Sequence, residues 1–319
     1  MGQKMFSSEL WNNPGSTQVL TQRAIFGFGQ NGGSNTAVTN LVSDSGVVAS
    51  DTSGVGTVRN DLAASGYGED KALFGFGDTG NGSNAVSMTN LVSNNGVVAS
   101  DTTGVGTARS ALAAAAYGGD KALFGFGIVR SGGETAHSTT NLVSNSGVVA
   151  SDTSGVGTAR HYLAAAEYGG DKAIFGYGHT TAAFVGMTNL VSNEGVVASD
   201  TSVVGSKRGW LAAAGYGEDK AIFGFGFLEP GNSNTAITNL VSNTGVVASN
   251  TSGVGTARIY VAAAVFGGDK AIFGYGRVAT SGSSGTNISN KVSNSGVVAS
   301  DTAGVGSARM SLAAAGYAN

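Results

Sequence analysis

The side chains best suited to chemistry are six arginines that recur about every fifty residues along the chain. They are Arg59, Arg109, Arg160, Arg208, Arg258 and Arg309. Guanidinium groups gathered at one point would bind an anionic substrate. A residue repeated six times favours a structural role instead, because catalysis needs side chains with different roles. We therefore predict that these arginines stabilise the fold.

A carboxylate accompanies the arginines and stands eight residues before five of the six. The set comprises Asp51, Asp101, Asp152, Asp200 and Asp301, with Asn250 in the remaining place. Each carboxylate could form an ion pair with the arginine that follows it. Alternatively, it could accept hydrogen bonds from the backbone of its own turn.

Three histidines, His137, His161 and His179, are the candidates for metal binding. A metal site would need a convergent carboxylate such as Glu134, and the spacing does not enforce one. The chain has no cysteine, which excludes disulfides, thiolate zinc sites and cysteine nucleophiles. We predict no catalytic residue, no metal and no cofactor, and hence that the protein is not an enzyme.

Composition narrows the class of protein. The chain has 319 residues with 53 Gly, 2 Pro, 12% charged residues and a net charge of −3. Evenly spread apolar residues argue against disorder, and the absence of a three-residue glycine period excludes collagen. The chain has no run of eighteen apolar residues, so we predict no membrane span. It has no basic block, so we predict no nucleic-acid binding. The N-terminus lacks the apolar stretch of a secretory signal, so we expect a cytoplasmic location unless the protein belongs to a virion.

The elements that position these side chains follow from an internal repeat. A Phe-Gly-aromatic-Gly signature recurs at offsets of 48, 50, 51, 48 and 50 residues. Its first residues are Phe26, Phe74, Phe124, Phe175, Phe223 and Phe273. A period of this length indicates a repeat architecture such as a solenoid or a propeller. The chain therefore contains six copies of one unit.

Each copy contains four short β-like runs. In one copy they are run c (89–93), run d (97–102), run a (107–117) and run b (121–127). Gly-Gly-Asp or Gly-Glu-Asp joins a to b, and Asn-x-Gly joins c to d, as expected for hairpins with positive φ. Four antiparallel strands every fifty residues are typical of a β-propeller blade. The Ala-rich run a suits the innermost strand, and the rings of run b would pack on the glycines of the next blade.

The ends of the repeat array predict how the fold closes. The array starts with a b run at Gln22 and ends after an a run at Tyr317. The last a run must pair with the first b run if every blade is complete, and this pairing leaves no edge strand exposed. We predict an all-β, six-bladed β-propeller over residues 21–319, preceded by an N-terminal arm over residues 1–20.

The segment 159–178 resembles a kelch repeat, with an arginine near the start of the inner strand and a glycine-rich end to the second strand. The paired glycines of that family are replaced by Gly-aromatic-Gly, and the tryptophan of strand d is missing. A repeated arginine is also similar to sialidases, but their Ser-x-Asp-x-Gly box is absent, since Asp51 directly follows Ser50.

Near-identical copies of this kind also resemble kelch-like proteins of bacteriophages. That resemblance implies a virion component, such as a fiber, decoration or tail-associated subunit. It would be anchored to other virion proteins by arm residues that include Phe6, Leu10 and Trp11, and a homo-oligomer is a further option.

Two sets of positions differ among the copies and mark the candidate binding rim. They are the b–c connections and the doublets that follow the arginines, and both fall at the same end of an up-and-down blade. The candidates are Asn60, Asp61, His161, Tyr162, Trp210, Tyr260 and Met310 in the doublets, and Arg130, Glu134, His137, His179, Phe184, Phe227, Glu229 and Arg277 in the connections. The rings of Tyr162, Trp210 and Tyr260 could form an arc that stacks on sugars or anchors a protein. Alternatively, these positions drift freely or the rings plug the channel.

We expect a non-enzymatic virion protein that presents this face to a host-surface glycan or protein. The alternative is a stand-alone lectin-like propeller. A glycan hydrolase is less favoured, because no nucleophile is paired with a base.

Overall fold

A computed structural model describes residues 21–80, 82 and 84–319. These residues contain no helix, so the prediction of an all-β chain is confirmed, and none of them forms a helix that could span a membrane. The arm with Phe6, Leu10 and Trp11 lies outside the described residues. The strands are β1 (Gln22–Gly27), β2 (Gln30–Asn31), β3 (Ser34–Asn35), β4 (Thr39–Val42), β5 (Ala63–Tyr67), β6 (Lys71–Gly75), β7 (Thr89–Val92), β8 (Ala113–Tyr117), β9 (Lys121–Gly125), β10 (Ile128–Val129), β11 (Thr135–Ala136), β12 (Thr140–Val143), β13 (Ala164–Tyr168), β14 (Lys172–Gly176), β15 (Thr188–Val191), β16 (Arg208–Gly209), β17 (Ala212–Tyr216), β18 (Lys220–Gly224), β19 (Phe227–Leu228), β20 (Ser233–Asn234), β21 (Thr238–Val241), β22 (Ala262–Phe266), β23 (Lys270–Gly274), β24 (Ser289–Val292) and β25 (Ala313–Ala318).

The longer strands form antiparallel three-stranded sheets of one design, with an Ala-rich inner strand, a middle strand and an outer strand. They are sheet I (β25, β1, β4), sheet II (β5, β6, β7), sheet III (β8, β9, β12), sheet IV (β13, β14, β15), sheet V (β17, β18, β21) and sheet VI (β22, β23, β24). Sheet I joins the two ends of the described chain, because β1 pairs with β25 from Gln22 opposite Ala318 to Gly27 opposite Ala313. Each inner strand packs against the inner strand of the next sheet, and β25 packs against both β22 and β5.

Small residues let the inner strands approach one another. In β8, Ala113, Ala115 and Tyr117 are buried, and the residues between them face the axis that the inner strands share. Five of the middle strands are buried on both faces after an initial lysine, as in Lys121–Gly125, and β1 is buried after Arg23. This burial explains why the middle strands read as continuous apolar runs rather than alternating ones.

Phenylalanine and glycine pack between sheets as the sequence predicts, but each ring contacts the preceding sheet rather than the next one. The first aromatic residue of each signature lies against the first glycine of the signature in the preceding sheet, so that Phe175 of sheet IV covers Gly125 of sheet III. The complete set is Phe74 on Gly27, Phe124 on Gly75, Phe175 on Gly125, Phe223 on Gly176, Phe273 on Gly224 and Phe26 on Gly274. A side chain on the glycine would occupy the space of the ring, so the glycine content serves packing.

The expected strand limits are wrong in all four runs. Run c ends at Val92 rather than 93. Run b ends at Gly125 rather than 127, because Phe126 has a left-handed backbone with φ of 64° and leaves the ladder. Run a begins at Ala113 rather than 107. Run d forms only isolated bridges to the outer strand, Val92 to Val98 and Thr89 to Thr102, so the sheets have three strands instead of four.

The four runs of one sequence copy divide between two sheets. Run c of the copy at 89–127 is β7, and it pairs with β6 of sheet II. Runs a and b of the same copy form β8 and β9 of sheet III. A sheet therefore combines parts of two neighbouring copies, which ties each copy to the next.

The recurrent arginines are fully buried and stabilise the edge of their own sheet. The Arg109 Nε donates to the Phe126 carbonyl at 2.7 Å, and its Nη2 donates to Asn141 Oδ1 at 2.6 Å. The guanidinium also lies 4.8 Å from the centre of the Phe76 ring in the preceding sheet. These buried contacts fit the predicted structural role and leave the six arginines closed to a substrate.

The recurrent aspartates do not pair with the arginine that follows them, so that alternative is wrong. Asp152 lies 3.6 Å from Arg109, the arginine that opens the same sheet. It also accepts hydrogen bonds from the Thr107 hydroxyl at 2.6 Å and the Thr107 N–H at 3.0 Å, rather than from its own turn. Desolvation raises the pKa of Asp152, but the bonds from Thr107 and Asn141 outweigh it and hold the pKa below its ordinary value.

Sheet V lacks this carboxylate, and Asn250→Asp is expected to raise the free energy of unfolding by about 1 kcal/mol. Arg208 is fully buried there, and its Nη2 has no hydrogen-bond partner among the described residues. Asn250 already contacts the Ser206 hydroxyl at 2.8 Å. The equivalent serine of sheet I, Ser307, donates a hydrogen bond to Asp51 at 2.5 Å, so a serine at this position can pair with a carboxylate. Urea unfolding at pH 7 measures the gain.

The pH dependence of this gain provides its control. A carboxyl group whose pKa is lowered by folding stabilises the fold above its unfolded pKa of about 3.9 and loses that contribution as the pH falls through the folded pKa. The advantage of Asn250→Asp should therefore decline as the pH falls below about 4. A gain that persists in acid would show that charge pairing with Arg208 is not its cause.

Candidate functional site

The two variable sets meet at one end of the sheets. The first residue of a doublet bridges to the start of a b–c connection, as His161 does to His179 and Ile259 to Arg277. In sheet V this contact extends into short strands, with β16 paired to β19 and β19 to β20. The a–b and c–d turns meet at the opposite end, where Asn145 donates to Asp120 at 2.9 Å. The expectation that both variable sets share one face agrees with this arrangement.

The second residue of every doublet belongs to a cyclic hydrogen-bonded ring around the axis. All six have a left-handed backbone, with φ between 49° and 56°. Each N–H donates to the carbonyl of its counterpart in the preceding sheet. The bonds run from Asp61 to Ser311 (2.9 Å), Ala111 to Asp61 (2.8 Å), Tyr162 to Ala111 (2.8 Å), Trp210 to Tyr162 (3.0 Å), Tyr260 to Trp210 (2.9 Å) and Ser311 to Tyr260 (3.3 Å). We call these six residues the axial ring.

The axial ring retains side chains where glycine would relieve strain. Most other left-handed positions of the chain are glycine, yet none of the six ring residues is. A left-handed backbone costs a residue with a Cβ about 1 kcal/mol. Strain retained at several adjacent positions is typical of functional sites. The side chains of the ring are therefore candidates for a role beyond packing.

Aromatic residues occupy half of the axial ring and gather further rings from the connections. Ring centroids are 5.4 Å apart for Tyr162 and Trp210, 5.4 Å for Trp210 and Tyr260, and 5.9 Å for Tyr162 and Tyr260. Four further rings extend the cluster, with centroid separations between 4.7 and 5.9 Å. We call these seven residues the aromatic sector: His161, Tyr162, His179, Phe184, Trp210, Phe227 and Tyr260.

The aromatic sector combines buried support with partly exposed faces. Phe184 and His161 are buried, at 7% and 5% exposure, and support Trp210 and Tyr162. The three axial-ring aromatics are half-buried, so part of each ring reaches solvent. The indole N–H of Trp210 has no acceptor among the described residues.

The histidines of this sector are neutral at physiological pH. Burial, together with the charges of His179 and Arg130, lowers the pKa of His161 to about 4. Burial also lowers the pKa of His179. The sector therefore offers stacking surface rather than positive charge.

The other half of the axial ring is small and acidic, consisting of Ser311, Asp61 and Ala111. The Tyr162 hydroxyl lies 3.5 Å from the Asp61 carboxylate across the axis. Arg130 donates to that hydroxyl at 2.8 Å and forms an ion pair with Glu134 at 3.4 Å. Desolvation raises the pKa of Asp61, and it also raises that of Tyr162 well above its ordinary value. A polar network thus connects the acidic half to the aromatic sector.

A cavity of about 120 Å³ lies on the axis beside the ring. Asp61, Tyr162, Trp210 and Tyr260 line it, together with the Leu-Ala-Ala segments of the inner strands. The Leu-Ala-Ala segments form an apolar part of the wall, and the axial-ring side chains form a mixed part, as is usual for small-ligand sites.

The remaining candidates divide between the site and its supports. Glu229 accepts a hydrogen bond from the Phe184 N–H at 3.1 Å, and Arg277 lies 5.2 Å from the centre of the Tyr260 ring. Asn60 and Met310 are buried beneath the rim. His137 bonds to its neighbours through its backbone and lies outside the aromatic sector.

Three residues of the site were missed by the sequence reasoning. Ala111 and Ser311 belong to the axial ring, and their doublet position was the available signal. Asp78 is buried and accepts hydrogen bonds from the backbone of Gly80 and Gly82, which shapes the connection beside Asn60. An Asp-x-Gly-x-Gly string is a recognisable turn pattern.

Among residues 21–80, 82 and 84–319, no group of three or more His, Cys, Asp or Glu side chains could hold a metal ion. The face offers stacking surfaces and one central carboxylate. No family model matches the chain, and no curated protein is similar to it in sequence.

Proposed function

We propose that the chain is a six-bladed, kelch-like β-propeller closed by pairing of β25 with β1. Two cyclic sets of contacts support this proposal: the hydrogen bonds of the axial ring and the six phenylalanine–glycine pairs between sheets. Sheet I supports it further, because Asp51 near the start pairs with Arg309 near the end at 3.6 Å. The kelch relationship rests on the sequence resemblance alone.

We propose further that the protein works by binding and presents its variable face to a glycan or a protein on a host surface. The aromatic sector is the observation that carries this function. Its rings come from three consecutive sheets. Three of them, Tyr162, Trp210 and Tyr260, have a left-handed backbone and are partly exposed. Partly exposed Tyr and Trp side chains are the residues that dominate recognition sites.

The setting we propose is a bacteriophage virion, in a fiber, decoration or tail-associated subunit. Near-identical copies support it, and the arm at residues 1–20 would be the attachment segment to other virion proteins. The alternative is a stand-alone lectin-like propeller. A purified chain that remains monomeric, together with virions that lack the protein, would rule out the virion setting.

Trp210→Ala is expected to weaken ligand binding at least tenfold, because it removes the central ring of the aromatic sector. Trp210→Phe should retain most of the affinity, since it keeps a stacking face and removes only the indole N–H. A glycan array followed by calorimetry on the best ligand measures both variants.

The matched control is Glu194→Gln, an exposed side chain in a c–d turn at the opposite end. This variant should bind as the parent does. Equal binding by Trp210→Ala and the parent protein would contradict a binding role for the aromatic sector, and thermal unfolding checks that each variant is folded.

A further inference from the structure

The Asp61 carboxylate lies near the centre of the axial ring. Its side chain bonds with Ser311 of sheet I and approaches the Tyr162 hydroxyl of sheet IV at 3.5 Å. Its charge also acts on Tyr260 of sheet VI. A side chain from sheet II that reaches groups on three other sheets must extend toward the axis.

No cationic nitrogen of the described residues forms an ion pair with this carboxylate. The guanidinium whose charge acts on Asp61, that of Arg130, contacts Glu134 at 3.4 Å, the Tyr162 hydroxyl at 2.8 Å and the Ser110 hydroxyl at 2.9 Å. Arg277, at the other side of the cluster, donates to the carbonyls of Gly282 and Thr280. The Arg130 charge acts on Asp61 but is shared with Glu134 and the two hydroxyl groups, and burial still raises the pKa of the Asp61 carboxyl group. Such a group is stabilised by a ligand that brings a positive charge.

The surroundings of Asp61 suit an organic cation. Tyr162, Trp210 and Tyr260 line the same cavity as Asp61, and aromatic faces attract ammonium groups. The cavity has a volume of about 120 Å³. An ammonium group with its nearest carbons fits this space, whereas the rest of a larger ligand would remain on the exposed rings.

We propose that the site, if it binds as stated above, takes an amino sugar whose ammonium group contacts Asp61 while its ring stacks on the aromatic sector. The half-buried rings of Tyr162, Trp210 and Tyr260 favour an amino sugar over a lysine side chain. They present three ring faces around one cavity, which is more stacking surface than an alkyl chain uses.

The test compares a glucosamine oligosaccharide with its N-acetylated counterpart by calorimetry at a pH where the amine is protonated. The parent protein should bind the free amine at least tenfold more tightly. Asp61→Asn keeps the size of the side chain and should remove that preference. Asp44→Asn makes the same charge change in an exposed turn at the opposite end and should leave it intact.

A second variant tests the site without changing Asp61. Ala111→Lys would place a tethered ammonium group beside Asp61, since Ala111 is its neighbour in the axial ring. This lysine should compete with the amino sugar and weaken its binding at least tenfold.

Asp61→Asn should also melt at an equal or higher temperature than the parent, because it removes a buried charge. A purely structural aspartate would make the variant less stable.

The outcomes separate this inference from the proposed function. Equal binding of both oligosaccharides, with loss of both in Trp210→Ala, would overturn the amino-sugar inference and leave the binding function standing. A preference that survives Asp61→Asn would overturn the role of Asp61. Binding of a lysine-rich peptide in place of the glucosamine oligosaccharide would overturn the choice of ligand. No binding of any glycan or peptide would reject the binding function itself.

Discussion

Arg109→Met is expected to lower the free energy of unfolding by about 3–5 kcal/mol. Methionine fills a similar volume, but it leaves the Phe126 carbonyl and Asn141 Oδ1 buried without the donors that now lie 2.7 and 2.6 Å away. Each unpaired buried acceptor costs about 1–3 kcal/mol, and Asp152 also loses its cation. Urea unfolding followed by circular dichroism measures the loss.

Arg208→Met is the matched control for this prediction. Arg208 is equally buried and donates to the Phe225 carbonyl at 3.0 Å, but it faces Asn250 and its Nη2 has no partner among the described residues. Its replacement should cost about 2 kcal/mol less than that of Arg109. Equal losses in the two variants would mean that the ion pair with Asp152 and the hydrogen bond to Asn141, which only Arg109 makes, contribute nothing to stability.

Gly125→Ala is expected to lower the free energy of unfolding by about 3 kcal/mol. A Cβ at this position would lie 2.6 Å from Cζ of Phe175, well inside van der Waals contact. Phe175 is fully buried between sheets III and IV, so its ring has no free space into which it can move. Thermal and urea unfolding measure the effect.

Gly215→Ala tests whether this loss comes from packing rather than from the backbone. Gly215 lies in β17, and a Cβ there would be 3.4 Å from its nearest neighbour. Sheets III, IV and VI carry Ala116, Glu167 and Val265 at the same position. Its free energy of unfolding should stay within about 0.5 kcal/mol of the parent. A comparable loss in both variants would refute the phenylalanine–glycine explanation.

Features that depend on neighbours in sequence were predicted well. The Asn-x-Gly turns contain left-handed glycines, for example Gly96 with φ of 76°, because the tight turn between c and d requires that backbone. The packing of Phe175 on Gly125 followed from the two-residue period of a strand. The limits of run b failed at Phe126, because its left-handed backbone is held by contacts with other sheets rather than by its own sequence.

The pairing of Asp152 with Arg109 could not be read from spacing. The following arginine, Arg160, is much closer in sequence, but it opens the next sheet. The sheet brings together its first and last segments, and these come from different sequence copies. Distance along the chain is therefore a poor guide to partners in a repeat whose copies exchange strands.

The amino-acid sequence by itself determined the repeat, the all-β class, the turn types and the positions that vary among the copies, since each depends on local periodicity and backbone preference. The tertiary structure decided which variable side chains meet. Asp61 and Tyr162 are separated by 101 residues yet lie 3.5 Å apart, because the cyclic hydrogen bonds of the axial ring bring the doublets of all six sheets to one axis. Six copies with the same local pattern carry no local signal of which partner lies across that axis, so only the packing of whole sheets could place a carboxylate among three aromatic rings.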